Sequence, residues 1–145
     1  MAAVNESGIV NLPCAAEAIY EGYLYKISSG QATIATTVTD DCVIAVQSSI
    51  DDDGAAKTLA ANQKMPFYLP HCGKVVKVAS LNAMTYTIGA GVYMGPSAST
   101  DGLCGSSSGS SATRIGTYYG PNNVATSADG DLIDVLLDTP FGGII

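Results

Sequence analysis

Gly105-Ser106-Ser107-Ser108-Gly109 can be written as G-x-S-x-G, the motif that presents a nucleophilic serine on a strand-to-helix elbow. Such a serine needs a histidine later in the chain, and the single histidine, His71, comes before it. The surrounding serines also give no helix, so the match is one of composition. Asp51-Asp52-Asp53-Gly54 resembles the start of a calcium loop, yet Ala55 stands where an oxygen ligand belongs and Asn62 where the bidentate Glu belongs. That stretch reads as a solvated acidic turn. The four cysteines, Cys14, Cys42, Cys72 and Cys104, lie far apart and contain no CxxC pair, which fits reduced thiols acting as small hydrophobes. Cys72 beside His71 offers only two ligands, too few for a metal. Glu6, Glu17 and Glu21 gather near the N-terminus, the aspartates cluster in turns, and no glycine loop is followed by Lys-Ser or Lys-Thr. These residues predict no enzyme, no metal and no cofactor.

Eight tyrosines against two phenylalanines leave a second chemical option, a ligand-binding stripe. The simpler reading places Tyr20, Tyr23, Tyr25, Tyr68, Tyr86, Tyr93, Tyr118 and Tyr119 on strands, half-buried with their hydroxyls at water. Charged residues make up 13% of the chain, about half the usual share, which leaves a small-residued surface suited to packing against proteins. A net charge of -7 with six basic residues repels a phosphate backbone, so nucleic acid is not an expected partner. The first basic residue is Lys26, so the start lacks the charged region of a signal peptide, and the chain is expected to be made in the cytoplasm. The uncharged run from Val78 to Thr100 is interrupted throughout by Ser, Asn, Thr, Gly and Pro, and no membrane segment is expected.

At 145 residues the chain can bury one core. Residues 1–13 are sparse in apolar side chains and broken by Gly8 and Pro13, so an extended N-terminal arm is expected there, followed by a single β domain over 14–145. Strand signals recur at 17–27, 32–39, 42–46, 86–94, 114–119 and 132–137, rich in β-branched and Tyr residues. Met65–Val78 predicts a hairpin at the rim of a sheet, with a strand to Leu69, a turn over Pro70-His71-Cys72-Gly73, and a return from Lys74. On that return Val76 and Val78 share one face while Val75 and Lys77 share the other. Ala55–Ala61 is the one expected helical turn, and Gly102–Ser111 an expected mobile loop that tolerates shortening. The fold class is therefore all-β.

A faint internal echo pairs Gly22-Tyr23-Leu24-Tyr25 with Gly91-Val92-Tyr93-Met94, Val43-Ile44-Ala45 with Arg114-Ile115-Gly116, and Gly73-Lys74-Val75-Val76 with Gly130-Asp131-Leu132-Ile133. The offsets are 69, 71 and 57 residues. Either a duplication underlies them, or Gly before an apolar strand is common turn chemistry.

Taken in order, Glu21-Gly22-Tyr23-Leu24-Tyr25, Cys42-Val43-Ile44-Ala45-Val46, Asn62-Gln63-Lys64-Met65-Pro66, Gly73-Lys74-Val75-Val76-Lys77-Val78, Gly89-Ala90-Gly91-Val92-Tyr93, Ile115-Gly116 and Gly130-Asp131-Leu132-Ile133-Asp134-Val135 resemble the capsid decoration proteins of tailed viruses, also called cement or head-stabilising proteins. The chain departs from that family's Ala-Gly-Asp or Ala-Gly-Glu phrases at Ala61-Asn62-Gln63 and Ile88-Gly89-Ala90, and adds the Ser-rich loop. The resemblance implies a compact β-barrel or β-tulip domain, usually a homotrimer, on the outer surface of a virion at capsomer junctions, with the major capsid protein as partner. In that reading Val4, Ile9, Val10 and Leu12 anchor an arm that adds to a neighbouring sheet edge. The apolar tail, Phe141, Ile144 and Ile145, would close the interface between copies. The alternative is a lectin-like or host-attachment binding module using the tyrosines or the Ser-rich loop.

Overall fold

The computed structural model describes residues 8–37, 39–95, 101–107 and 112–138. Among them there is no helix, as the β-branched and aromatic runs require. The chain forms β1 (Ile9–Pro13), β2 (Leu24–Ser28), β3 (Gln31–Ile34), β4 (Val43–Ala45) and β5 (Lys64–Tyr68), which pair in the order β1-β5-β4-β2-β3. The two outer strands of this five-stranded sheet then meet at one parallel bridge between Cys14 and Ala32, where the Ala15 N–H donates to the Ala32 carbonyl at 2.9 Å, and that single residue pair rounds the sheet into a first barrel. A second group follows: β6 (Val75–Ser80), β7 (Thr85–Tyr86), β8 (Gly91–Met94), β9 (Cys104–Gly105), β10 (Arg114–Tyr118), β11 (Val124–Ala125) and β12 (Asp131–Leu136). Of these, β10-β12-β6-β9-β8 closes into a barrel through a parallel β6–β9 contact at Ser80 and Cys104, and β7 pairs with β11 beside it.

These two groups have the same topology. Strands β1, β2, β3, β4 and β5 correspond to β6, β8, β9, β10 and β12, with antiparallel neighbours matching throughout and the parallel contact matching as well. Register matches too: Val10 faces Phe67 as Val76 faces Val135, and Ile27 faces Ala32 as Met94 faces Cys104. Hydrogen bonds outside the ladders repeat in kind. Leu69 N–H to Gly8 O has its counterpart in Leu137 N–H to Lys74 O, Asn62 N–H to Cys14 O in Gly130 N–H to Ser80 O, and Tyr23 N–H to Tyr20 O in Ala90 N–H to Thr87 O. Left-handed residues recur at Gly22 and Gly89, Gly30 and Gly102, and Asn62 and Gly130. Two of the sequence echoes thus fall on corresponding strands, two residues out of register, because the true counterparts are Gly22 with Gly89 and Val43 with Gly116. The third echo pairs β6 with β12, which are neighbours and not counterparts.

Each group has a core. Val10, Cys14, Ile19, Tyr25, Ala32, Val43, Ala45, Leu59, Met65 and Phe67 fill the first. The second contains Val76, Val78, Tyr86, Val92, Ile133 and Val135, and reaches across to Leu24, Ala35, Cys42 and Ile44, the outward side of the first group's sheet.

Several expectations are corrected. The Met65–Val78 hairpin does not form: both strands exist, but β5 lies between β1 and β4 while β6 lies between β12 and β9. Alternation names a strand's faces and not its neighbours, and the connection is tied elsewhere, with Gly73 N–H donating to Leu137 O at 2.9 Å. Nor is β5 a rim strand. Pro66 is accommodated there because its carbonyl accepts from Val46 just past the end of β4, so its missing donor falls where the ladder stops. Ala55–Ala61 makes bridges in place of a helical turn, Ala56 with Ile50 and Thr58 with Ala18. Residues 9–13 are not a free arm but the edge strand β1, fully paired with β5.

Candidate functional site

Among the described residues, those considered for nucleophilic or metal chemistry lie apart from one another. Ser106, which follows β9, directs its hydroxyl to the Met84 sulfur at 3.6 Å, Ser107 is exposed beyond it, and Gly109 lies outside the described residues. The Asp51 carboxylate accepts from the Asp53 and Ala55 N–H groups at 2.9 and 3.1 Å, so it fastens its own turn. No group of three His, Cys, Asp or Glu among the described residues is placed to hold a metal ion.

The thiols sit in apolar surroundings. Cys14, Cys42 and Cys104 are buried, and Cys72 is half-buried beside Gly8. Desolvation pushes Cys14 up to about 11 and Cys104 up to about 12, and raises Cys42 as well. A neutral buried thiol is a poor nucleophile and a poor ligand.

The tyrosines do not form one stripe. Tyr25, Tyr86 and Tyr118 are buried, Tyr20 and Tyr119 exposed, and Tyr23, Tyr68 and Tyr93 lie between. The buried hydroxyls are spent inside the protein. Tyr25 accepts from the Tyr20 N–H at 2.9 Å, Tyr86 is hydrogen-bonded to the Ser80 hydroxyl at 2.7 Å, and Tyr118 donates to the Asn122 carbonyl at 2.7 Å. Burial raises the Tyr25 and Tyr86 hydroxyls above their ordinary range.

The expected arm anchors divide. Val10 is buried in the first core, Leu12 packs against it, and Ile9 is half-buried opposite Tyr68, so these three belong to the fold. Their spacing is that of a strand with one inward face, and Gly8 and Pro13, expected to break it, bracket the strand without interrupting it. Val4 and the tail residues Phe141, Ile144 and Ile145 lie outside the described residues. The expected mobile loop is corrected at its start. Gly102, Leu103, Cys104 and Gly105 are buried, and β9 closes the second barrel, so shortening Gly102–Ser111 would remove a structural strand.

Exposed large apolar residues occur on the first group at Tyr20, Ile27 and Ile50 and on the second at Val75, Ile88, Tyr119, Val124 and Leu132, and three of these share the outside of the second barrel. Since Val76, Val78, Ile133, Val135 and Tyr118 point inward, their neighbours Val75, Lys77, Leu132, Asp134 and Tyr119 point out. Val75, Leu132 and Tyr119 are 47%, 43% and 58% exposed. Among them a Lys77–Asp134 ion pair at 2.6 Å crosses the β6–β12 ladder. Tyr119 follows β10 and donates its N–H to the Asp134 carbonyl, so its ring stands at the end of the same face. Val124 and Leu132 line a shallow depression together with Asn122 and Asn123. Apolar bodies, an amphipathic ring and one ion pair suit contact with another protein. The strand alternation already set Val75 and Lys77 outward together; Tyr119 and Leu132 gave no signal separating them from ordinary strand residues.

No known family model and no curated protein matches this chain.

Proposed function

We propose that this protein is a structural virion component that binds the outer surface of a viral capsid and stabilises the shell at capsomer junctions. In this reading its barrels are of the β-tulip type, it acts as a homotrimer, and the major capsid protein is its partner. The observation that carries the reading is the outer face of the second barrel, where Val75, Leu132 and Tyr119 are exposed around the Lys77–Asp134 pair. An acidic surface suits the outside of a shell, away from packaged nucleic acid. The ordered phrases that resemble those of decoration proteins support it as well. Because Ile9, Val10 and Leu12 are committed to β1, capsid attachment is moved from them to this face.

The test is imaging of the particles with which the chain copurifies, together with readdition of purified protein to shells that lack it. The proposal expects added density over capsomer junctions and cosedimentation that Tyr119→Ala with Leu132→Ser abolishes. A chain that sediments apart from every particle sinks the reading.

A further inference from the structure

The two barrels meet head to tail. Gly22 is buried against the second barrel, its carbonyl accepting from the Ala79 N–H at 2.8 Å, and a Cβ on it would lie 3.1 Å from the Lys77 carbonyl oxygen. Gly102, ahead of β9, inserts into the first barrel, accepting from the Leu24 N–H at 2.8 Å and donating to the Ala35 carbonyl at 2.9 Å. A two-fold contact would put their counterparts, Gly89 and Gly30, into the same roles. Both are exposed instead, and a Cβ on either would meet nothing within 4 Å. The first barrel therefore offers one face and the second a different one, and one unused copy of each face remains on the molecule.

The unused copies differ in chemistry from the used ones. At the contact, Leu24 and Ile44 on the first barrel and Ala79, Leu81 and Leu103 on the second are all buried. Their counterparts by register are Gly91 and Thr117, and Pro13, Ala15 and Gln31, none of them buried. Pro13 has no N–H, so the bond from Ala79 to Gly22 cannot be repeated on the outer face.

We infer that the chain is a tandem duplication of one self-associating unit of about 67 residues, the separation of Gly22 and Gly89. The partner of that unit was a second copy of itself, and the contact between barrels is that subunit contact held within one chain. Pro13, Gln31 and Thr117 cap the outer faces and end the array at two units, as terminal units of stacked repeats need polar outer faces. A larger assembly of this protein uses some other surface.

The test is a full chain carrying a protease site in the exposed connection at Gly73 and Lys74. Cut while folded, it is expected to keep the mass of the intact chain. Its two fragments, parted in denaturant, are expected to regain the sheet spectrum and one-to-one stoichiometry on mixing. Fragments that never recombine overturn the inference. Leu103→Gln, which puts the capping residue at the contact, is expected to raise the fragments' Kd about tenfold or more, while Gln31→Leu leaves it within about twofold. Equal effects of the two changes would also overturn it. In the uncut chain, Pro13→Ala with Gln31→Leu and Thr117→Ile is expected to add concentration-dependent mass by light scattering. A mass identical to that of the unaltered protein refutes the capping.

Discussion

Gly22 and Gly89 hold the same left-handed conformation in different surroundings, φ 79° buried and φ 87° open, so together they isolate what the barrel contact demands of one residue. Alanine at either position adds a left-handed penalty of about 1–2 kcal/mol. Only at Gly22 would the new methyl crowd Leu132 Cδ2, at 2.7 Å, adding about 1–3 kcal/mol of overpacking. Urea denaturation should therefore show Gly22→Ala clearly less stable than Gly89→Ala, and equal losses would count against the packing described. The thiols supply a pH test. The ordinary value of 9.0 applies to Cys14 in the unfolded chain, whereas burial holds its proton to about 11 in the fold. Above pH 9 the unfolded state thus binds fewer protons, and stability present at neutral pH is lost as pH rises from 9 toward 11. Cys104, pushed up to about 12, acts in the same direction. Thermal melts should fall over that window, and Cys14→Ala should lessen the slope even though the variant starts lower. The sequence suggested thiols acting as small hydrophobes, as Cys14, Cys42 and Cys104 are, but it did not separate them from the half-buried Cys72 or tell Gly22 from Gly89.

At the scale of elements, strands were easier to read than their partners. Alternation located β5, β6 and β12 to within a few residues, because one buried face writes a period of two into the chain. It could not say that β5 and β6 part company, since pairing depends on distant edges such as β1 and β12. The short strands β7, β9 and β11 carry too few residues to show any period. Alanine-rich 55–61 has helical propensity, but its backbone groups are taken by bridges to Ile50 and Ala18. The same logic reverses the expectation for the N-terminus. A truncation starting at Cys14 removes the whole ladder partner of one edge of β5, along with buried Val10 against Phe67. Burial of one such aliphatic contributes about 1.5–3 kcal/mol, and ladder hydrogen bonds contribute about 1 kcal/mol each. Their sum is a large share of the roughly 5–15 kcal/mol available to a domain. The truncated chain is expected to melt at least about 10 °C lower or to fail to fold, and unchanged melting would return residues 9–13 to the status of a free arm.

The duplication of the whole molecule is plainer in the backbone than in the sequence, and the reason is physical. Strand positions at the contact differ from their counterparts: Leu24 and Ile44 are covered by the second barrel while Gly91 and Thr117 are not buried, so the residues most informative in a strand are those that no longer match. What persisted is turn chemistry, Gly22 with Gly89 and Gly30 with Gly102, where a left-handed backbone requires it. This arrangement also decides how the molecule unfolds. If the barrels were independent, each would keep its core to itself and heating would release them one after the other. Instead Leu24, Ala35, Cys42 and Ile44 of the first barrel belong to the same buried cluster as Val76, Val92 and Val135 of the second, and Cys42 Sγ lies 3.2 Å from Met94 Sδ across the boundary. Melting either barrel would strip apolar cover from the other, so neither half-folded state is well populated. The chain is expected to unfold in one transition, with equal calorimetric and van't Hoff enthalpies and coincident curves from near-ultraviolet and far-ultraviolet dichroism. Ile44→Asp places a charge in that shared cluster and is expected to lower both barrels together, an effect of about 3 kcal/mol or more. Two separated transitions in the unaltered protein, or an Ile44→Asp variant in which one transition moves and the other stays, would show that the barrels share a boundary without sharing a core.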